Sequence, residues 1–301
     1  MLDVRRLRLL RELSHRGTIA AVAEALTFTP SAVSQQLAAL EREAGVALLE
    51  RTGRRVALTP AGAALVRHAE AVLERLEQAA AELATARTGL AGTIRIGAFP
   101  VATRTILPAA LAALGRDHPR LEPMVDEIDP AEVAPRLRSG DLDAALIHEY
   151  DLVPAAPDLT LDTEPLLDEP MYLASDRAGD SLAERHDAPW IVSKPGTLCY
   201  EMTMRACQTA GFSPRIRHHI DDFTAVLAMV SAGQGVALVP GLGAADPPGN
   251  VRLTELPTRR RTRIAFRRGA SAHPALTALT LALRSSLPRG TAGGRQWEFS
   301  R

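Results

Sequence analysis

Just after Thr29-Pro30 the chain places Ser31, Ser34, Gln35 and Gln36, with Val33, Leu37 and Leu40 interleaved at helical spacing. Hydroxyls and amides on the open face of an apolar-backed helix suit base edges: glutamine bridges adenine N6 and N7, and serine serves a base or a phosphate. Further on, Arg51, Arg54 and Arg55 crowd around Gly53. Arginines at a protruding turn contact phosphates or enter a minor groove and supply the salt-dependent share of affinity. Catalytic chemistry has no comparable footing. Gly233-Gln234-Gly235 and Gly241-Leu242-Gly243 lack the following glycine and the strand-loop-helix order of a dinucleotide fingerprint. Neither Gly-x-Ser-x-Gly nor a Walker sequence occurs, and no base, nucleophile and orienting group are grouped, so an enzyme is not expected.

The recognition residues need elements to hold them, and the punctuation supplies these. Asp3 is a good N-cap for a helix Val4 to Arg16 closed by Gly17, with Val4, Leu7, Leu10 and Leu13 on one face. Thr18 caps a short Ala-rich helix, Ile19 to Leu26, and Thr29 with Pro30 opens a third running to about Ala44 and stopped by Gly45. A short helix, the connection Thr27-Phe28-Thr29 and a longer helix have the dimensions of a helix-turn-helix, whose second helix enters the major groove by its first turns. Ala47 to Arg51 and Arg55 to Leu58 flank Thr52-Gly53-Arg54 as a small hairpin, a wing. The first sixty residues carry nine Arg against six acids. An ordinary three-helix domain with a solvated hairpin is the plainer alternative for each feature taken singly.

Thr59-Pro60 repeats the cap-then-proline signal and opens a helix to Thr88, roughly 43 Å long at 1.5 Å per residue. Along it Leu65, Ala69, Val72, Leu76, Ala79 and Leu83 alternate steps of four and three, the spacing of a coiled-coil seam. A dimerisation helix is expected; an amphipathic helix lying on the larger domain is the alternative.

Beyond residue 90 strands and helices alternate, which predicts α/β architecture with a parallel sheet. Strands are expected at Ile94 to Ala98, Leu142 to His148, Met171 to Ala174, Trp190 to Ser193, Gly235 to Pro240 and Arg263 to Phe266. Helices are expected at Leu107 to Leu114, Ala131 to Arg138, Leu198 to Ala210, Thr224 to Ala232 and Pro274 to Leu287. Two lobes follow, one from about 90–161 with 263–287 and the other from about 162–262, with a poorly ordered tail at 288–301. Strand C-termini and helix N-termini converge on a crevice. That positions Phe99, Thr103, Asp129, His148, Thr197, Phe223 and Pro240 as its lining. His148 reads equally as a ligand donor or as a strand-end histidine satisfied by backbone.

Over 301 residues, 35 basic groups balance 35 acidic ones and Lys194 is the only lysine, so no global basic field exists and a nucleic-acid partner must be met locally. The six arginines from Arg259 to Arg268 read as a solvated loop beside an edge strand rather than a second nucleic-acid patch. His218 and His219 point to opposite faces of a strand, and no metal is expected. Two cysteines fit a reducing compartment, and the chain reads as soluble and cytoplasmic, with no signal peptide or membrane span.

The run Thr18-Ile19-Ala20-Ala21-Val22-Ala23-Glu24-Ala25-Leu26, then Pro30-Ser31-Ala32-Val33-Ser34-Gln35-Gln36, Leu40-Glu41, Gly45-Val46, Leu48-Leu49-Glu50-Arg51 and Leu58-Thr59-Pro60-Ala61-Gly62 resembles the winged helix-turn-helix of LysR-type transcriptional regulators. The resemblance covers about residues 2 to 287. It implies a winged helix-turn-helix domain (1–59), a linker helix (60–89) and a two-lobed effector domain of periplasmic-binding-protein type (90–287). It further implies double-stranded DNA, a small-molecule effector, self-association as dimer or tetramer, and RNA polymerase as partners, with no cofactor. By position, Pro30, Ser31, Ser34 and Gln35 would face the major groove and Arg51 and Arg54 the backbone or minor groove, with Thr18, Gln36 and Arg55 counted among the DNA-binding residues. Leu49 departs from the aromatic residue usual there. The effector of such regulators is often a carboxylate, yet Phe99-Pro100-Val101-Ala102 precede the first polar group, Thr103, which favours an apolar or aromatic ligand. Two further functions are weighed: a small-molecule-binding protein whose winged domain contacts protein, and a thiol-based redox regulator using Cys199 and Cys207, which flank a helix where peroxide-sensing relatives also carry a pair one residue further apart. On an intact helix the two thiols lie about 12 Å apart, too far for a disulfide.

Overall fold

The computed structural model describes residues 1–52, 55–86, 89–154, 157–179 and 181–287. The chain divides into two units, Met1–Thr88 with Arg267–Pro274, and Gly89–Phe266 with Ala275–Arg301.

In the first unit, α1 (Val4–Arg16) begins where the Asp3 carboxylate accepts the N–H groups of Arg5 and Arg6, and it ends at Gly17 in the left-handed region. α2 (Ile19–Ala25) is capped by Thr18, and α3 (Pro30–Ala44) by Thr29 with Pro30 as its first residue. The wing is β1 (Leu49–Thr52) paired antiparallel with β2 (Arg55–Leu58); the tip of its turn, with Arg54, lies outside the described residues. Leu10, Val22, Val33, Leu37, Leu40 and Leu48 close one core, against which Leu49 and Leu65 pack half-buried. Leu49 thus fills core space as an aliphatic where an aromatic is usual.

The long helix α4 runs Pro60–Thr85. Its seam divides by burial. Ala69 is fully buried and Leu65 packs on the winged core, so the first turns of the seam are already used inside the domain. Val72, Leu76 and Leu83 stay exposed, as does Ala79. A Cβ on Gly62 would lie 2.1 Å from the Leu48 carbonyl oxygen, so only glycine lets α4 start this close to the wing.

The second unit begins with β3 (Gly92–Ala98), α5 (Pro100–Thr105), α6 (Leu107–Asp117), β4 (Leu121–Glu127), α7 (Pro130–Ser139) and β5 (Ala144–Tyr150). It continues with β6 (Leu161–Ser175), β7 (Pro189–Val192), α8 (Leu198–Thr209), β8 (Arg215–His219), α9 (Phe223–Ser231), β9 (Ala237–Pro240), β10 (Arg252–Arg267) and α10 (Pro274–Ser285). One six-stranded sheet has the order β4-β3-β5-β10-β6-β9, and β7 and β8 form a separate pair. The sheet is mixed, not parallel: β3 is parallel to β4 and β5, but β10 runs antiparallel to β5 and β9 antiparallel to β6. The reversal comes from β6 and β10, of 15 and 16 residues. Leu161 and Ala265 pack with Ile128, Val133 and Leu137 in one core, while Met171, Leu173 and Leu256 pack with Trp190, Val192 and Met202 in another. These two strands therefore serve both lobes.

The arginine run is corrected by this topology. It is no loop beside an edge strand, because β10 lies inside the sheet between β5 and β6. Five of its six cations are matched to carboxylates: Arg259 to Asp168, Arg260 to Glu169, Arg261 to Asp151, and, within the first unit, Arg267 to Glu77 and Arg268 to Glu74; Arg263 donates to the Thr163 hydroxyl and carbonyl. At Arg260, whose side chain is 1% exposed, such pairing is required, since an unmatched charge there is costly.

Candidate functional site

Two places bring recognition residues together. On α3, Val33, Leu37 and Leu40 are buried while Pro30, Ser31, Ser34, Gln35 and Gln36 face outward. The Ser31 hydroxyl sits 3.1 Å from that of Thr29, and Ser34 donates to the Pro30 carbonyl at 3.0 Å. Gln36 differs from its neighbours: its carbonyl accepts Arg6 Nε at 2.9 Å, and Arg6 also pairs with Glu43, so this amide is tied to α1. Thr18 is exposed, with its hydroxyl accepting the Ala21 N–H. Arg51 and Arg55 lie on the wing strands, and their side chains lie outside the described residues.

In the second unit a cavity of about 240 Å³ gathers Phe99, Asp129, His148, Thr197 and Phe223 from five different segments. Thr103 and Pro240 do not reach it. Thr103 turns back, its hydroxyl 2.6 Å from the Pro100 carbonyl and 3.0 Å from Glu127 Oε2, and Pro240 ends β9 opposite Met171. Sequence reasoning missed Glu127, Ser193, Cys199, Asp221 and Arg260, which also line the cavity. A wider cavity of about 520 Å³ adjoins it and shares Asp129, Pro130, His148 and Leu198.

Register explains the floor of the smaller cavity. His148 and Tyr150 on β5 stand opposite Thr262 and Arg260 on β10. Rings of Phe99 and His148 meet edge to face at 4.6 Å, and the Arg260 guanidinium lies 5.1 Å from the Phe99 ring centre. Arg260 Nε donates to Glu169 at 2.8 Å, and the second Glu169 oxygen accepts the Leu242 N–H at 2.5 Å. Burial alone would lower the Arg260 pKa, but the Glu169 carboxylate beside it holds it above its ordinary value. Burial, assisted by Arg260, pushes His148 well below its usual range, so it stands neutral. Its Nδ1 is buried without a hydrogen-bond partner. Burial also raises the Tyr150 phenol, which lies 2.8 Å from Cys199 Sγ.

Cys199 and Cys207 sit on the same unbroken α8. Burial raises the Cys199 thiol and pushes Cys207 up to about 12, the opposite of the depressed pKa that makes a thiol reactive. Among the described residues no cluster of His, Cys, Asp or Glu could hold a metal, and no helix is long and apolar enough to cross a membrane.

A winged helix-turn-helix joined to an α/β unit with a cavity between two cores is the organisation of a DNA-binding regulator with an effector domain. Residues 4–63 match the family model described as bacterial regulatory helix-turn-helix protein, lysR family, and residues 87–288 match the LysR substrate binding domain. The chain belongs to the LysR family of transcriptional regulators. It is 30% identical over 249 residues to the transcriptional dual regulator GltC of Bacillus subtilis, covering 79% of this chain and 81% of that one. A probable hydrogen peroxide-inducible genes activator of Mycobacterium avium is 31% identical over 244 residues, 78% of this chain and 76% of its own. A full-length OxyR variant from Pseudomonas aeruginosa superposes with a TM-score of 0.64 at 22% identity, covering 100% of this chain and 99% of that one.

Proposed function

We propose that the protein recognises a two-fold-symmetric DNA site as a dimer or tetramer in the cytoplasm and there regulates transcription through RNA polymerase. Ser31, Ser34 and Gln35 read bases, Arg51, Arg54 and Arg55 engage the backbone or minor groove, and the exposed Val72, Leu76 and Leu83 of α4 supply the self-association seam. A small molecule in the cavity floored by His148 and Arg260 changes the relative stability of two arrangements of the lobes, as ligand control requires. One observation carries the DNA-reading assignment: the first turns of α3 expose short polar side chains while the same helix buries Val33, Leu37 and Leu40.

The test is selection from a pool of random duplexes with the full-length protein at two salt concentrations, followed by sequencing. An enriched, roughly symmetric site with steep salt dependence is expected. Enrichment that is unchanged when Gln35 and Arg54 are replaced would move the winged domain to protein contact.

A further inference from the structure

Helix N-termini pointing into a cleft ordinarily attract anions, because their free N–H groups and the helix dipole favour negative charge. Four helices begin on the cavity, and three of those N-termini are filled by the chain itself; the fourth, the six-residue α5, has no side-chain cap, and its first residue, Pro100, offers no N–H. The Asp129 carboxylate accepts the Ala131 N–H at 2.8 Å at the start of α7. Asp222, between the cavity-lining Asp221 and Phe223, accepts the N–H groups of Thr224 and Ala225 at the start of α9. The Thr197 hydroxyl occupies the start of α8 through the Tyr200 N–H.

The charges point the same way. Arg260, the cation of the lining, is committed to Glu169, and Asp221 is matched by Lys194 at 2.9 Å. Among the described residues Glu127 accepts from the neutral Thr103 hydroxyl and Asp129 from backbone. Two lining carboxylates are therefore left without a cationic partner among the described residues. An incoming carboxylate or phosphate would meet both, and would add a charge beside an already neutralised buried ion pair. What the cavity offers is Phe99, Val101, Ile128, Leu198 and Phe223 for apolar contact, with the unpartnered Nδ1 of the 7% exposed His148 for a single hydrogen bond.

Resting on the reading of this cavity as the effector site, we propose that its ligand carries no net negative charge: a small, largely apolar molecule with one or two hydrogen-bonding groups, not the carboxylate that the family resemblance suggests. Charge selection is set by Glu127 and Asp129.

The probe is a fragment library with equal numbers of anionic, uncharged and cationic members, screened by ligand-observed NMR against the full-length protein. Hits are assigned to the cavity by their loss on Phe99→Ala and, should that variant unfold, on His148→Leu. Uncharged or cationic cavity hits are expected, with anions at least about tenfold weaker than their isosteric amides. Glu127→Gln with Asp129→Asn keeps the Thr103 contact and the helix cap while removing both charges, and should narrow that ratio by strengthening the binding of the anions. Carboxylates binding as tightly as amides would overturn the charge assignment and leave the effector site standing. Library hits that bind only outside the cavity, or no hits at all, would overturn the site itself.

Discussion

Arg260 Nη2 and Glu169 Oε1 lie 2.7 Å apart with side chains 1% and 0% exposed, joining two interior strands of the sheet beneath the cavity. Neither ion could be held there alone. The pair also fixes the guanidinium over the Phe99 ring, so one contact sets both the charge balance and the shape of the cavity floor.

Removing one partner leaves the other charged and buried, which destabilises by about 3–5 kcal/mol, whereas replacing both with apolar groups is close to neutral. Glu169→Ala should therefore lower the thermal midpoint of the effector domain sharply, and Glu169→Leu with Arg260→Met should recover most of the loss. Equal destabilisation by the single and double variants would show that the pair is not acting as a unit.

His148 supplies a pH dependence with a definite sign. Its folded pKa is depressed from 6.5 by burial first and by Arg260 second. As pH falls below about 6.5 the unfolded chain takes up a proton that the folded chain refuses, so stability falls, by at most about 1.4 kcal/mol per pH unit for this one group. Thermal midpoints measured between pH 7.5 and 5.5 should drop less steeply in His148→Gln than in the parent protein. Parallel profiles would mean that the imidazole is solvated.

The first unit was legible because its signals are local. Asp3, Thr18, Thr29 and Thr59 cap their helices as their spacing predicts, and Gly17 and Gly45 close theirs. What sequence could not supply was partnership across the sheet. Arg259, Arg260 and Arg261 look like part of a solvated basic run until their partners on β6 and at Asp151, just after β5, are placed, and those partners lie about a hundred residues away. The adjacent acids Asp168 and Glu169 inside the otherwise apolar stretch Leu166 to Ala174 were the available hint that a buried cation must come from elsewhere. Five of the seven residues placed at the cleft do line the cavity, because strand ends and helix starts are readable; Thr103 misses it because its hydroxyl turns back to Pro100, a direction that spacing does not encode, and Pro240, at the end of β9, is not part of the lining.

Cys199 and Cys207 should behave as inert core thiols. Both pKa values are raised, so little thiolate exists at neutral pH, and α8 keeps the two apart. Ellman's reagent at pH 7.5 should label the native protein slowly and the unfolded protein at once, and stoichiometric peroxide should leave two free thiols. Rapid formation of an internal disulfide would instead require α8 to unfold, and would revive a redox-sensing role.

Gly62 is a packing requirement, since an added methyl meets backbone rather than a movable side chain. Gly62→Ala should destabilise the winged domain by roughly 1–3 kcal/mol despite alanine's better helix propensity. The measurement is chemical denaturation followed by far-ultraviolet circular dichroism; a gain in stability would show that α4 shifts away from Leu48 at no expense.

Base reading and backbone contact can be separated on the recognition helix and the wing. Gln35 is exposed on α3 with its amide uncommitted, whereas Gln36 is tied to Arg6. Gln35→Ala should therefore relax discrimination at one base position by about 1–3 kcal/mol while leaving binding to random duplex nearly unchanged. Arg54→Ala should weaken specific and random DNA alike and reduce the slope of log affinity against log salt by about one. Gln36→Ala should remove one of the two contacts Arg6 makes with α3, leaving Glu43, and lower stability modestly with little change in sequence preference. Fluorescence anisotropy on the selected site, on point variants of it and on random duplex, at two or more salt concentrations, distinguishes the three. If Gln36→Ala relaxes specificity as strongly as Gln35→Ala, then α3 must turn or shed its contact with α1 on the DNA, and the outward face in the free protein is not the face that reads bases.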